Sequence, residues 1–354
     1  MMDHVDVPTL GETDYVHDIA YDYYGRRLAV STSSLRISVF QRPDDGAGAW
    51  VETMRCERAH TGPIWRLAWG PPEHGEPLFS CSEDHTIAVF SPGTCLGLYG
   101  RSERGSALKK TPEALKKLHS LSMAGDETQR TGPIVDVRVS PPQLGLRVAA
   151  CTADCKARVF ECSDPFSLGL DWNHEDIPAD ARTANGVGDD TAAPFAALDW
   201  MPIPFGKSAA SAQAILAVAG SGGKLAVWTK TAQGAWADIA SHDISQGGRG
   251  RVMDLAWCPN SCRSCSYEII ATCGDGASLW RLDLDATRQG RHADEGTGSG
   301  ALSLLTDLVG IKGAWRLSWD MSGTTLAVCS EGKAVSLWRC NAALEWKREQ
   351  MDKT

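Results

Sequence analysis

The sequence predicts an all-β fold, a six-bladed β-propeller that is open between its first and last blades. Three observations predict it. One skeleton of three short strands recurs six times along the 354 residues. The middle strand of every copy is built of small residues. Neither end of the chain offers an obvious strand to close the ring.

The anchor of the skeleton is IWRLAW at 64–69, with a near copy, AWRLSW, at 314–319. Around such anchors six segments align, at 16–40, 64–90, 134–160, 195–228, 251–280 and 314–338. In each, an alternating run ends in an aromatic residue or valine: Tyr21, Trp69, Val139, Trp200, Trp257 and Trp319. A turn with Pro or Gly leads to a small-residue run, LAVST, LFSCS, VAACT, LAVAG, IIATC or LAVCS. A tight turn then opens a third run that closes on Phe40, Phe90, Phe160, Trp228, Trp280 or Trp338. Alternation of apolar residues between turn residues is the signal of paired strands. A strand covered on both faces has room only for small side chains, which accounts for Cys81, Cys151, Cys273 and Cys329 at one place in the repeat.

A fourth, outer strand is expected at 50–57, 236–244 and 344–350. The blades are therefore placed at 16–57, 64–131, 134–194, 195–245, 251–312 and 314–350, in one domain over 1–354. Their spacing exceeds the roughly 40–45 residues of WD-type repeats, and the excess is assigned to long loops at 93–131, 162–194 and 284–312. Within the first of these, Thr111-Pro112-Glu113 is a good helix start, with a capping Thr and Pro at the first position. An outer strand inside a solvated loop is the competing reading.

Composition excludes several classes. With 35 basic and 44 acidic residues the net charge is −9, so the overall field repels phosphate and no direct nucleic-acid partner is expected. No window approaches the roughly 20 apolar residues of a membrane span, so no transmembrane segment is expected. The opening MMDHVDVPTLGETDY has no apolar stretch and does not read as a secretory signal. The twelve cysteines are accordingly expected to be free thiols.

No catalytic, cofactor or metal site is expected. Cys262 and Cys265 have zinc-like spacing, but Cys258 ends a first strand and Cys273 belongs to the second-strand series, so two further ligands are missing. AGSGGKL at 219–225 lacks the first Gly and the final Ser or Thr of a phosphate loop, and reads as a hairpin turn. GTGSG at 296–300 opens no helix and reads as a loop. His60 and Asp84 are expected to join in a structural polar network, with Asp154 and Asp275 at the same turn position as Asp84. Trp65, Trp69, Trp315 and Trp319 are expected to pack between blades, and Arg66 and Arg316 to pack or line a channel.

Pro8 and Gly11 make the first residues a poor strand, and LEWKREQ at 344–350 lets the last blade supply its own outer strand. Nothing then ties blade one to blade six, and natural proteins cover such exposed sheet edges. A partner that adds strands would cover them; a clasp strand at 4–10 is the alternative. Candidate seam residues are Val16, Ile19, Tyr21, Trp315, Trp319, Leu337 and Trp338.

VHDIAYDYYGRRLAVSTS, followed by HTGPIWRLAWGPPEHGEPLFSCSEDHTIAVF, resembles the Sec-thirteen/Seh family of WD-repeat coat proteins. TGPIVDVRVSPPQLGLRVAACTADCKARVFE and VMDLAWCPNSCRSCSYEIIATCGDG are similar to the Seh branch, and the likeness runs over roughly 14–350. The resemblance implies a non-enzymatic, open six-bladed scaffold without cofactor or small-molecule substrate. It implies an α-solenoid nucleoporin that donates a blade in trans, with the other subunits of the Y-shaped nuclear pore coat as partners. The expected location is the nuclear envelope, and the cytoplasmic or lysosomal/vacuolar membrane surface where a growth-signalling complex of the SEA/GATOR type is served. DYYG in the first repeat is also similar to the Sec-thirteen branch, whose members serve the outer vesicle coat. The insertions at 93–131 and 284–312, and the absence of Asp from the first, fourth and sixth hairpin turns, depart from the family pattern.

Overall fold

Strands make up nearly the whole of the computed structural model, which describes residues 14–42, 49–92, 112–123, 132–154, 156–164, 171–178, 196–203, 213–220, 223–244, 252–259, 267–284, 301–341 and 345–349. The strands form six sheets, the blades of a β-propeller. The chain groups into two compact units, Met1–Ala150 with Val159–Glu175, and Cys151–Arg158 with Asp176–Thr354.

In the first unit, β1 (Val16–Tyr21), β2 (Arg27–Thr32), β3 (Ile37–Gln41) and β4 (Val51–Cys56) form the first sheet. The second contains β5 (Ile64–Trp69), β6 (Leu78–Ser82) and β7 (Thr86–Ser91). After β7 in sequence, β8 (Glu113–Ala114) joins the edge of the first sheet, parallel to β4. β9 (Lys116–Ser122) then completes the second sheet against β7. The third sheet is β10 (Ile134–Val139), β11 (Arg147–Thr152), β12 (Ala157–Cys162) and β13 (Trp172–Ile177), and the division between the units runs through its strands.

The second unit holds the fourth sheet, β14 (Ala196–Trp200), β15 (Ile215–Gly220), β16 (Lys224–Lys230) and β17 (Trp236–Asp243). The fifth is β18 (Val252–Trp257), β19 (Glu268–Gly274), β20 (Ala277–Leu282) and β21 (Leu302–Asp307). The sixth is β22 (Ala314–Trp319), β23 (Thr325–Ser330), β24 (Ala334–Cys340) and β25 (Trp346–Arg348). Among the described residues the first sheet takes no strand from the C-terminal end and the sixth none from the N-terminal end. The alternative clasp at 4–10 lies outside the described residues.

Two kinds of assignment change. The loops expected at 93–131, 162–194 and 284–312 carry the outer strands β9, β13 and β21. Outer strands are half-exposed, so charged residues dilute their alternation: Lys116, Lys117, Glu175 and Asp176 stand in β9 and β13. Of the two readings at Thr111-Pro112-Glu113, the outer strand and not the helix holds for the described part of that segment, where β8 and β9 are extended. Leu115, Leu118 and Leu121 have helical spacing, but pairing from Thr86↔Ser122 to Ser91↔Lys116 satisfies the open edge of β7 and wins over local propensity.

Apolar clusters fill the space between successive sheets within each unit. Ala29 and Val39 meet Ile64 and Leu67 in one, and Phe79 and Cys81 meet Ile134 and Val137 in the next. In the second unit, Ala217 and Val227 meet Leu255 and Trp257, and Ala271 and Leu279 meet Leu317 and Trp338. Each fully buried side chain of this size contributes about 1.5–3 kcal/mol. The middle strands β2, β6 and β15 are buried at every position, and small residues such as Ala29, Ser31, Ser80, Cys81, Ala217 and Ala219 share them with larger apolar ones such as Leu28, Leu78 and Leu216.

The Pro-Pro-x-x-Gly segments at 71–75 and 141–145 each form one 3-10 turn between first and second strands. Gly75 closes the first of these at φ 80, a left-handed conformation that a Cβ disfavours. The following Glu76 also has positive φ (53°) and is held by an ion pair with the buried Arg27, which also meets Asp22 at 3.1 Å.

Candidate partner-binding faces

The first strand of a blade has a fixed plan. In β1, β5, β18 and β22 the register shifts after the first residue, a bulge at the same place in four blades. A bulge re-aims the extra side chain. Trp65 and Trp315 occupy that position and are 37% and 54% exposed. Trp65 stacks on His17 of the neighbouring sheet, ring centroids 6.1 Å apart, and so meets that blade at its surface, whereas the expectation that Trp315 packs between blades is corrected. Trp69 and Trp319 do lie between sheets, packed against the apolar clusters there.

The positions before and after the bulge face the preceding sheet. At the first, Ile64, Ile134, Val252 and Ala314 are buried. At the fourth, Leu67, Val137, Leu255 and Leu317 are buried. In β1 the same positions hold Val16 and Ile19, 46% and 54% exposed, and Tyr21 at the sixth is 52% exposed. Tyr15, Tyr23 and Tyr24 extend this bare apolar surface at both ends of the strand. Beneath it, Leu28, Val30 and Phe40 form a small cluster with Trp50.

The sixth sheet is thinly covered on its other face. Ala327 and Cys329 in β23 are half-buried, whereas Ala29, Phe79, Ala217 and Ala271 are fully buried at the place of Ala327, and Ser31, Cys81 and Cys273 at the place of Cys329. Leu337 is half-buried beside the exposed Val335. Trp338 is different: it is buried in the core cluster with Leu326 and Val328, and Trp319 is packed against that cluster. The seven seam candidates thus divide into Val16, Ile19, Tyr21, Trp315 and Leu337, which reach the surface of their own units, and two tryptophans engaged inside.

Charge on the first strands is locked between sheets. Asp18 Oδ2 accepts the Leu67 N–H at 2.8 Å, and burial pushes its carboxyl up to about 6 against the pull of Arg66. Arg66 in turn lies 3.3 Å from Asp136. The inner strands carry this polar chemistry, and its partners are other parts of the scaffold.

His60 and Asp84 meet as one network. His60 Nδ1 lies 3.0 Å from Asp84 Oδ2, and Nε2 lies 2.7 Å from Ser80 Oγ. Burial lowers the pKa of the imidazole despite the nearby carboxylate. The neutral ring therefore donates from Nδ1 to Asp84 and accepts the Ser80 hydroxyl at Nε2. Asp84 also accepts from Thr61 N–H, Thr86 N–H and the Thr86 hydroxyl. Burial alone would raise its pKa; these donors outweigh it and hold the carboxyl at about 2. Every arm of the network ends on another part of the blade, the arrangement of a brace for the β6–β7 turn.

Among the described residues no group of three His, Cys, Asp or Glu side chains could hold a metal ion. Cys258 is buried with its Sγ 3.4 Å from the Gly323 carbonyl, and Cys273 is buried in β19, while Cys262 and Cys265 lie outside the described residues. No described helix is long and apolar enough to cross a membrane.

Comparison with known proteins agrees with this architecture. The WD domain, G-beta repeat family matches residues 52–91. Nucleoporin SEH1 of Danio rerio is 26% identical over 346 residues, covering 94% of this chain and 83% of the relative. Nucleoporin SEH1 of Homo sapiens is 24% identical over 357 residues, covering 94% and 84%. A chain from the solved structure "Crystal Structure of Mitotic Checkpoint Complex" matches with a TM-score of 0.57 at 15% identity, over 93% of this chain and 76% of that one, a likeness of fold alone. The six repeated sheets, the matched repeat and these relatives together fit a Seh-type WD-repeat propeller.

Proposed function

We propose that this chain is a non-enzymatic scaffold subunit of the nuclear pore complex, in the Y-shaped coat of its outer ring, and that an α-solenoid nucleoporin completes it in trans by donating a blade. The observation that carries this reading is the bare inner strand of the first sheet. Val16, Ile19 and Tyr21 are exposed where the same positions of later blades are covered by a preceding sheet. A donated blade supplies that missing sheet, and its strands give the backbone and apolar partners that β-augmentation uses. The thin cover over Ala327 and Leu337 gives the sixth sheet a surface of the same kind. The likeness to relatives named Nucleoporin SEH1 supports the pore as the site of action. Service in a growth-signalling complex of the SEA/GATOR type extends the same scaffold role to a second assembly.

The test is affinity purification of the tagged protein from its native cells, with the co-purifying chains identified by mass spectrometry and the tagged protein imaged. Recovery of a solenoid nucleoporin and staining of the nuclear rim are expected. Recovery of outer vesicle-coat subunits instead would transfer the chain to the Sec-thirteen branch.

A further inference from the structure

A groove of about 750 Å³ opens on the first unit, apart from the bare face of β1. Its walls come from the β2–β3 turn at Ser33 and Ser34, the β4–β5 connection from Arg58 to Thr61, the β6–β7 turn at Asp84, and β9 at Lys117 and Ser120. That size suits a few side chains of a ligand.

The charged groups in the lining are arranged unequally. Asp84 is its one carboxylate, and its oxygens are taken by His60, Thr61 and Thr86. Asp14, behind the turn, is held by the Ser33 and Ser34 hydroxyls at 2.9 Å and by Arg36 at 2.8 Å. The cations are not matched in this way. Arg58 is exposed and has no carboxylate partner among the described residues. Lys117 spends one N–H on the Ala59 carbonyl at 3.2 Å and likewise has no carboxylate partner there. The Ser120 hydroxyl, exposed on the same wall, is a third available donor. The groove therefore offers donors with two positive charges to an incoming group, while its own acids are already engaged.

We propose that this groove recognises an acidic side chain, a phosphorylated residue or a carboxylate, carried on an extended peptide. Arg58 supplies the planar fork that suits either anion, Lys117, hydrogen-bonded to the Ala59 carbonyl beside it, a point charge, and Ser120 a neutral donor on the β9 wall. A nucleic-acid strand fits less well, because the lining holds no Phe, Tyr or Trp for bases to stack on, its one imidazole, His60, is buried in the Asp84 network, and the chain carries a net charge of −9. This site is separate from the proposed blade-donation surface and stands whether or not that proposal holds.

The experiment is fluorescence anisotropy with the full chain and short degenerate peptide pools fixed at the centre as phosphoserine, glutamate or alanine, with inorganic phosphate as competitor. An acidic pool should bind at least about tenfold tighter than the alanine pool, since a charge-assisted hydrogen bond is worth roughly a factor of ten or more. Arg58→Ala and Lys117→Gln should each remove most of that preference with an unchanged melting temperature, and Lys347→Gln should leave it intact. Preference for phosphoserine over glutamate assigns the phosphorylated source; equal binding of the two assigns a carboxylate. Equal binding of all three pools, no binding of any, or full binding by both groove variants would overturn the proposal. So would competition by inorganic phosphate as strong as that of the phosphoserine pool, which would make the site one for the free anion.

Discussion

Trp319 donates its indole N–H to the carbonyl of Ala256 at 3.2 Å, across from one sheet to the sheet before it. Trp69 makes the same bond to Ala20 at 2.9 Å. The neighbouring aspartates repeat the relationship, with Asp18 accepting from Leu67 N–H at 2.8 Å and Asp254 from Leu317 N–H at 2.9 Å. The duplicated hexamers IWRLAW and AWRLSW are thus one device used twice. Their last residue pins the strand to the carbonyl of the preceding first strand, and their middle backbone amide docks on its aspartate.

Trp319→Ala should destabilise the protein by about 3–5 kcal/mol, because it removes a large side chain packed on the core together with its hydrogen bond. Trp315→Ala, at the bulge and 54% exposed, should change stability by less than about 1 kcal/mol. Denaturant melts of the two variants side by side check this. Equal losses would contradict the different roles given to the two tryptophans.

Asp254 is fully buried and accepts the backbone N–H of Leu317 and that of Leu255. Asp254→Ala leaves both donors without it and should cost about 3 kcal/mol, whereas Asp254→Asn keeps an acceptor oxygen and should cost less. Thermal unfolding of the pair measures the difference.

The His60–Asp84 brace makes stability acid-sensitive, with a definite sign. The folded imidazole has a lowered pKa, so its contribution is complete above about 6.5 and is lost as pH falls below that value and the unfolded ring takes up a proton first. The Asp84 carboxyl is held at about 2, so its contribution is present above about 3.9 and is lost as pH falls towards 2. His60→Gln should flatten the melting-temperature profile between pH 7 and 5 relative to the unaltered protein. An unchanged slope would remove His60 from the account.

Asp18 acts in the opposite direction. Its folded pKa is raised to about 6, so its contribution is complete below about 3.9 and is lost as pH rises through 6. Asp18→Asn abolishes that titration while keeping an acceptor for Leu67 N–H. Its melting temperature relative to the unaltered protein should climb between pH 4 and 6 and stay level above. A difference that does not vary with pH would contradict the raised pKa.

The repeat itself was plain in the residues, because each first strand alternates over its last four residues and each middle strand is rich in small ones. His60 and Asp84 were legible as a pair for the same reason, since turn position fixes who can meet. The outer strands β9, β13 and β21 were not, because a half-exposed strand can carry Lys116, Lys117, Glu175 or Asp176 without penalty and so loses its pattern. Trp65 and Trp315 look like core residues on alternation alone. A bulge between the first and third residues shifts the side chains by one, and the sequence shows no sign of it. Trp338 is named among the seam candidates, yet Val335 and Leu337 of the same strand turn away from the core cluster that holds it. Arg58 and Lys117, separated by almost sixty residues of sequence, carry no local motif, and only the pairing of β7 with β9 brings Lys117 to the groove.

The central claim is that β1 is a surface built to be covered by a partner. Its most direct test is the affinity purification repeated with Ile19→Arg and with Tyr21→Glu, alongside the melting temperature of each isolated variant. Both side chains are exposed in the free protein, so melting should shift by no more than a degree or two while recovery of the solenoid partner falls by at least about tenfold, as expected when a charge enters a buried apolar contact. Undiminished recovery with both variants would show that the partner does not use this strand.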